Sequence, residues 1–132
     1  MNKNLKVAFV ILHYQNIEVT KESTEYLKKV RGIEKHDIVI VDNASPNGSG
    51  QLLFKLYEKI SNIHVLLNSQ NGGFAYGNNI GYSYAQQQLR ANIIVVMNSD
   101  VNIKDEAFIE KVINYTNTNK KVDILAPDII VK

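Results

Sequence analysis

Two acid-bearing stretches and one stretch of glycines and asparagines hold the residues of this chain whose types and spacing suit chemistry. Asn98-Ser99-Asp100 follows the apolar run IIVVM and ends in a carboxylate. With Asn98 beside it, Asp100 offers hard oxygen ligands that Mg2+ or Mn2+ takes while sharing a substrate's phosphates. An Asp capping the turn before a helix explains the same residue equally well. Asp42, in IVIVDNASPNGSG, is either a ligand contact or plain turn chemistry. The third stretch, NSQNGGFAYGNNIGYSYA (68–85), spaces Gly73, Gly77, Gly81 and Ala85 by four, with Asn71, Asn78 and Asn79 among them. Glycine is the worst ordinary helix former, so a bare helix face points to close approach by another element. Tight packing on a sheet suffices for Gly81 and Ala85. Gly72 and Gly73 instead open the helix, where free N–H groups and the helix dipole suit an anion or a ribose.

These residues need elements to position them. VAFVIL (7–12), IVIV (38–41), IHVLL (63–67), IIVVM (93–97) and VDIL (122–125) read as strands rich in Val and Ile. Their near-continuous apolarity predicts strands covered on both faces, hence a parallel sheet. Helical stripes alternate with them: Val19, Tyr26, Leu27 and Val30; Leu52, Leu53, Leu56 and Ile60; Phe108, Val112 and Tyr115. This alternation predicts one α/β domain with a doubly wound, mostly parallel sheet in an α/β/α sandwich. The first four runs end in His13-Tyr14, Asp42-Asn43, Asn68-Ser69 and Asn98-Ser99-Asp100. Ligands of open parallel sheets bind beyond the carboxyl ends of the strands. All four ends are polar, which predicts one crevice holding Asp42 and Asp100 together.

Composition closes off other classes. The 132 residues are 45% hydrophobic and 21% charged with a net charge of +2, an ordinary globular balance. That charge, with no Lys/Arg cluster, gives no case for nucleic acid. The absence of cysteine rules out disulfides and thiolate metal sites and fits a reducing cytoplasm. The longest apolar run, VAFVIL, is too short to span a membrane and reaches His13-Tyr14, not a small-residue cleavage site. Gly72 to Gly77 has phosphate-loop spacing, but Asn78-Asn79 stand where Lys and Ser/Thr belong. A dinucleotide fold wants its glycines after the first strand, where HYQNIEV stands instead. His13, His36 and His64 are scattered without metal-ligand spacing, and Tyr82 and Tyr84 read as packing. A response-regulator receiver fails as well, with His13-Tyr14, Leu67-Asn68 and Ala126-Pro127 where its acids and lysine belong. A sugar-1-phosphate nucleotidyltransferase needs a basic, glycine-rich loop after the first strand, which this chain lacks.

In order and spacing, VAFVILHYQN, IVIVDNASPNGSG, NSQNGGFAYGNNIGYSYA and IIVVMNSDV resemble the family 2 glycosyltransferases of GT-A fold, in the rhamnosyltransferase-like branch. The resemblance covers nearly the whole chain. It implies that Tyr14 and Asp42, with Asn43 beside them, hold the nucleotide base, Asp42 accepting from a ring N–H of uracil or thymine. It implies that Gly73, Asn78 and Asn79 face ribose and diphosphate. Asn98-Ser99-Asp100 resembles the family's DXD-type motif, with Asn98 in place of the first acid and Asp100 as the metal carboxylate. His13-Tyr14-Gln15 departs from the family's usual Thr-Tyr-Asn. The implied reaction is inverting transfer, assisted by Mg2+ or Mn2+, from a UDP- or dTDP-sugar to a saccharide or lipid-linked acceptor in cell-surface polysaccharide synthesis. A cytoplasmic place, at the inner membrane face for a full-length protein, goes with it. No acid here matches the family's general base, so the chain looks like a donor-binding domain (1–132) without its acceptor-binding part. A nucleotide-sugar-binding module without catalysis is the alternative.

Overall fold

A computed structural model describes residues 4–126. The four strands are β1 (Val7–His13), β2 (Asp37–Asp42), β3 (Ile63–Leu67) and β4 (Ile93–Asn98). The helices are α1 (Ile17–Leu27), α2 (Ser49–Tyr57), α3 (Phe74–Gln87) and α4 (Phe108–Thr118). The sheet runs β3-β2-β1-β4 with every pairing parallel. Every residue of β2 is buried, as is all of β1 except Leu12. This is the two-sided cover that unbroken apolar runs demand.

Strand direction decides the layers. Successive right-handed crossovers from β1 to β2 to β3 put α1 and α2 on one face. The return from β3 to β4 carries α3 across the other face. Phe9, Ile11, Ile38, Ile40, Leu27, Leu53, Tyr57 and Ile109 form the larger core beneath α1, α2 and α4. Ala8, Val10, Val39, Val41 and Ala85 form the smaller core under α3. The result is the expected α/β/α sandwich, with a topological switch between β1 and β4.

Three expectations need correction. Val122–Leu125 forms no strand, and Ile124 is 90% exposed. A strand exists only where another offers hydrogen bonds; within the described residues β4 pairs with β1 alone. The apolar stripes of the helices are also misphased. The buried face of α1 is Thr20, Ser23, Thr24 and Leu27, whereas Val19 and Tyr26 are only half-buried. In α2 the buried pair is Leu53 and Tyr57, with Leu52 and Leu56 about half exposed. In α4, Ile109 is buried and Tyr115 is exposed. Finally, Gly73 does not belong to the bare face of α3. It is the N-cap, at φ 96°, a conformation that L side chains resist. Gly77, Gly81 and Ala85 do lie against the sheet as expected.

Candidate functional site

The carboxyl end of β2 carries Asp42, which lies beside His13 in the parallel register. Side chains alternate along a strand, so Asp42 points with Ile38 and Ile40 toward α2, where it is 2% exposed. Its Oδ1 accepts from the Ser45 N–H at 3.2 Å. Its other oxygen lies against Gly50, where any Cβ would overlap the carboxylate.

Asn43 faces α3 instead. Its amide donates to Asn71 Oδ1 at 3.0 Å and to the Gly73 carbonyl at 3.1 Å, while its oxygen accepts from Asn68 Nδ2 at 3.4 Å. With these bonds the side chain ties the β3–α3 loop to the end of β2. Asn71 also accepts from the Gly73 N–H at 2.9 Å, holding the entry to α3. Within α3, Asn78 turns inward and Asn79 outward. Asn78 is 2% exposed and neither of its amide atoms has a partner among the described residues. A buried amide left unpaired costs about 1–3 kcal/mol.

The remaining residues lie on loops. Tyr14 is 47% exposed beyond β1, and its carbonyl accepts from the Asn16 N–H at 2.8 Å. Asn98 ends β4 and Asp100 sits in the turn that the Asn98 carbonyl closes with the Val101 N–H at 3.1 Å. Both side chains are exposed. Ser23 of α1 fixes this turn by donating to the Val101 carbonyl at 2.7 Å. The ends of β2 and β4 are separated by β1 alone, a span of about 10 Å at ordinary strand spacing. Tyr14, Asp42, Asn43, Gly73 and Asn98 with Asp100 thus share one edge of the sheet.

Among the described residues no cluster of three His, Asp or Glu side chains could enclose a metal ion. Asp100 fits a different arrangement, a lone exposed carboxylate that completes its metal's shell with substrate oxygens. Each of the three histidines makes hydrogen bonds within the fold. The His36 ring accepts from the Val7 N–H at 3.0 Å, and His64 lies 2.9 Å from Asp37. An open groove along the outer edge of β3, walled by Phe54, Leu67, Ile80 and Tyr84, carries no charged group and lies apart from Asp100.

Sequence reasoning missed the polar layer beneath the site. His13 meets Thr20 Oγ1 at 2.7 Å and Ser49 Oγ at 2.8 Å, fully buried. The available signal was the run Thr20, Ser23, Thr24, Leu27, whose i, i+3, i+4, i+7 spacing marks one helix face. Burial lowers the pKa of His13 below 6.5, against the field of Asp42, which raises it. Burial lowers His36 in the same way, against Asp37 and Glu34. A histidine kept neutral in the folded protein binds fewer protons than in the unfolded chain. Its contribution is therefore complete above pH 6.5 and lost as pH falls through the window below it. Denaturation midpoints should accordingly drop between pH 7.5 and pH 5.5. A midpoint constant over that interval would show that neither ring is held neutral.

A model of the family described as Glycosyl transferase family 2 matches residues 8–130. The low-salt glycan biosynthesis hexosyltransferase Agl10 of Haloferax volcanii is 26% identical over 124 residues, covering 94% of this chain and 36% of that protein. The mannosyltransferase PcManGT of Pyrobaculum calidifontis, solved with GDP-Man and Mn2+, is structurally similar with a TM-score of 0.72 at 16% identity. That match covers 83% of this chain and 32% of the mannosyltransferase. Residues 1–349 of S. aureus TarS with UDP-GlcNAc give a TM-score of 0.72 at 19% identity, covering 88% of this chain and 32% of that one. The chain thus spans about a third of the hexosyltransferase, of the mannosyltransferase chain and of TarS 1–349.

Proposed function

The chain belongs to glycosyl transferase family 2, and from that premise we propose that it is the donor-binding domain of an enzyme that transfers a sugar from a nucleoside diphosphate. The observation that carries this reading is the convergence of Asp42, the Gly73 entry to α3 and Asp100 on one sheet edge. That edge flanks the switch point between β1 and β4, where open α/β sheets take ligands. Asp42 and Tyr14, beside Asn43, hold the base. Gly73, Asn78 and Asn79 are assigned to ribose and diphosphate, Asn79 from the outward face of α3 and Asn78 by an inward amide that has no partner among the described residues. Asn98 and Asp100 lie where the diphosphate ends.

In the inverting reaction proposed, an acceptor hydroxyl attacks the anomeric carbon, the bond to the diphosphate oxygen breaks, and its electron pair leaves with the nucleoside diphosphate. When held at Asp100, Mg2+ or Mn2+ supplies neutralisation of the charge on that leaving group. The Asp100 carboxylate is exposed, so it can share such an ion with phosphate oxygens. The acceptor's proton goes to a general base, a role to which no described residue is assigned. Within the family, the VDNAS, NGGFAYGNNIG and NSD stretches favour the rhamnosyltransferase-like branch. A saccharide or lipid-linked acceptor and a place in cell-surface polysaccharide synthesis belong to the same proposal. Among the described residues no helix is long and apolar enough to cross a membrane.

Calorimetry with UDP, dTDP and GDP, with and without Mn2+ or Mg2+, tests the reading. Binding of one nucleotide should tighten about tenfold with metal, the value of one added charge-assisted contact. Asp100→Asn should remove that gain and spare metal-free binding. Metal-independent affinity in the parent chain would remove Asp100 from the site. Release of nucleoside diphosphate from the bound donor separates an enzyme from a binding module.

A further inference from the structure

His13 closes a ring of hydrogen bonds beneath the proposed base site. From its Nε2 the ring passes to Ser49 Oγ at 2.8 Å and from the Ser49 N–H to Asn47 Oδ1 at 3.1 Å. Asn47 Nδ2 donates to the Gln15 carbonyl at 2.8 Å, and the Gln15 N–H donates to Ser45 Oγ at 2.9 Å. The Ser45 N–H reaches Asp42 at 3.2 Å, and Asp42 lies in register beside His13, whose carbonyl accepts from the Asn43 N–H at 3.0 Å. Every link crosses between the β1–α1 loop and the β2–α2 loop or fixes one of them. Both loops also carry a non-glycine residue at positive φ, Gln15 at 64° and Ala44 at 59°. Such backbone persists only where its surroundings over-determine it.

We propose that His13 is a positioning residue for the donor nucleotide: its imidazole clamps the two loops together and so fixes Asp42 where a base can meet it. The proposal rests on the reading of Asp42 as the base contact. A neutral ring supplies one donor and one acceptor, which suits hydroxyls able to take either part. The groups facing the ring are the Thr20 hydroxyl from α1, the Ser49 hydroxyl from α2 and the Asp42 carboxylate from β2. Asp42 is the one charged group among these, so a proton on His13 would set a buried cation against the carboxylate that must meet the base. Protonation would also force both ring nitrogens to donate. Neither change leaves the clamp as it is.

Two variants test this in the whole chain. His13→Phe fills the space without hydrogen bonds, and His13→Gln keeps hydrogen bonds without titrating. Amide exchange of Gln15 and Ser45 should rise at least tenfold in His13→Phe, while the β2 amides from Ile38 to Ile40 keep their protection. Affinity for whichever of UDP, dTDP and GDP the parent binds should weaken at least tenfold. Between pH 7 and pH 5 the parent should lose affinity more steeply than His13→Gln, since phosphate titration is common to both. Intact loop protection and affinity in His13→Phe would overturn the proposal. If His13→Phe does not fold, parallel pH profiles for the parent and His13→Gln would overturn it. Failure of the parent to bind any of the three nucleotides would remove the Asp42 reading and this proposal together.

Discussion

Asp42→Ala is expected to weaken nucleotide binding at least tenfold while leaving the sheet intact. The carboxylate is 2% exposed and ends a fully buried strand. A hydrogen bond from a base N–H to such a charged acceptor contributes about 1.5–3 kcal/mol, which is about 10- to 150-fold in affinity. Alanine keeps the Cβ that packs near Gly50 and removes the oxygens. Its structural cost is the Ser45 N–H, which loses its acceptor. Asp42→Asn separates the two effects, because the amide oxygen can still receive Ser45 but no longer carries charge. Affinity should therefore fall in both variants, with thermal stability nearer the parent in Asp42→Asn. Undiminished affinity in Asp42→Ala, measured by calorimetry on a folded sample, would falsify the assignment.

The second large effect belongs to Gly81. A Cβ there would overlap Val10 Cγ1 and approach Val41 Cγ2 at 3.0 Å. Both neighbours are β-branched residues on buried central strands, so neither can swing aside. Gly81→Leu gains about 1 kcal/mol of helix propensity but adds a whole side chain to a filled core. Overpacking costs about 1–3 kcal/mol or more, so the net result should be a clear fall in melting temperature. Gly77 is a milder case. Its Cβ would meet Leu12 Cδ1 at 2.5 Å and Asn43 at 3.3 Å, and a leucine tip can move. Gly77→Leu should still outweigh its propensity gain, and by displacing Asn43 it should also loosen the loop at Gly73. A higher melting temperature in either variant would mean that the glycines are tolerated and not required.

What was legible in the sequence follows from which interactions are local. Four strands, the parallel sheet and the sandwich were readable because burial on both faces leaves an unbroken apolar run such as IVIV or VAFVIL. The polar residues after those runs were readable as sharing one edge, because parallel strands bring all carboxyl ends together. The bare face of α3 was readable at Gly77, Gly81 and Ala85 from spacing alone. VDIL has the same local pattern as the real strands, yet pairing depends on a partner that no pattern within 122–125 contains. Helix phase failed for a related reason. Val19 and Tyr26 look like a buried face of α1, but Thr20, Ser23 and Thr24 hold it, because the Thr20 hydroxyl pairs with His13 while Ser23 and Thr24 donate to the Val101 carbonyl and to the preceding helical turn. Gly73 was readable as a helix start, whereas its role as an N-cap at positive φ was decided by the loop that Asn43 and Asn71 tie down. The sequence by itself thus determined the layers and the edge that gathers the polar strand ends. The ring through His13, Ser49, Asn47, Gln15, Ser45 and Asp42 was decided by tertiary structure, because hydroxyl and amide side chains reveal their partners only once distant segments meet.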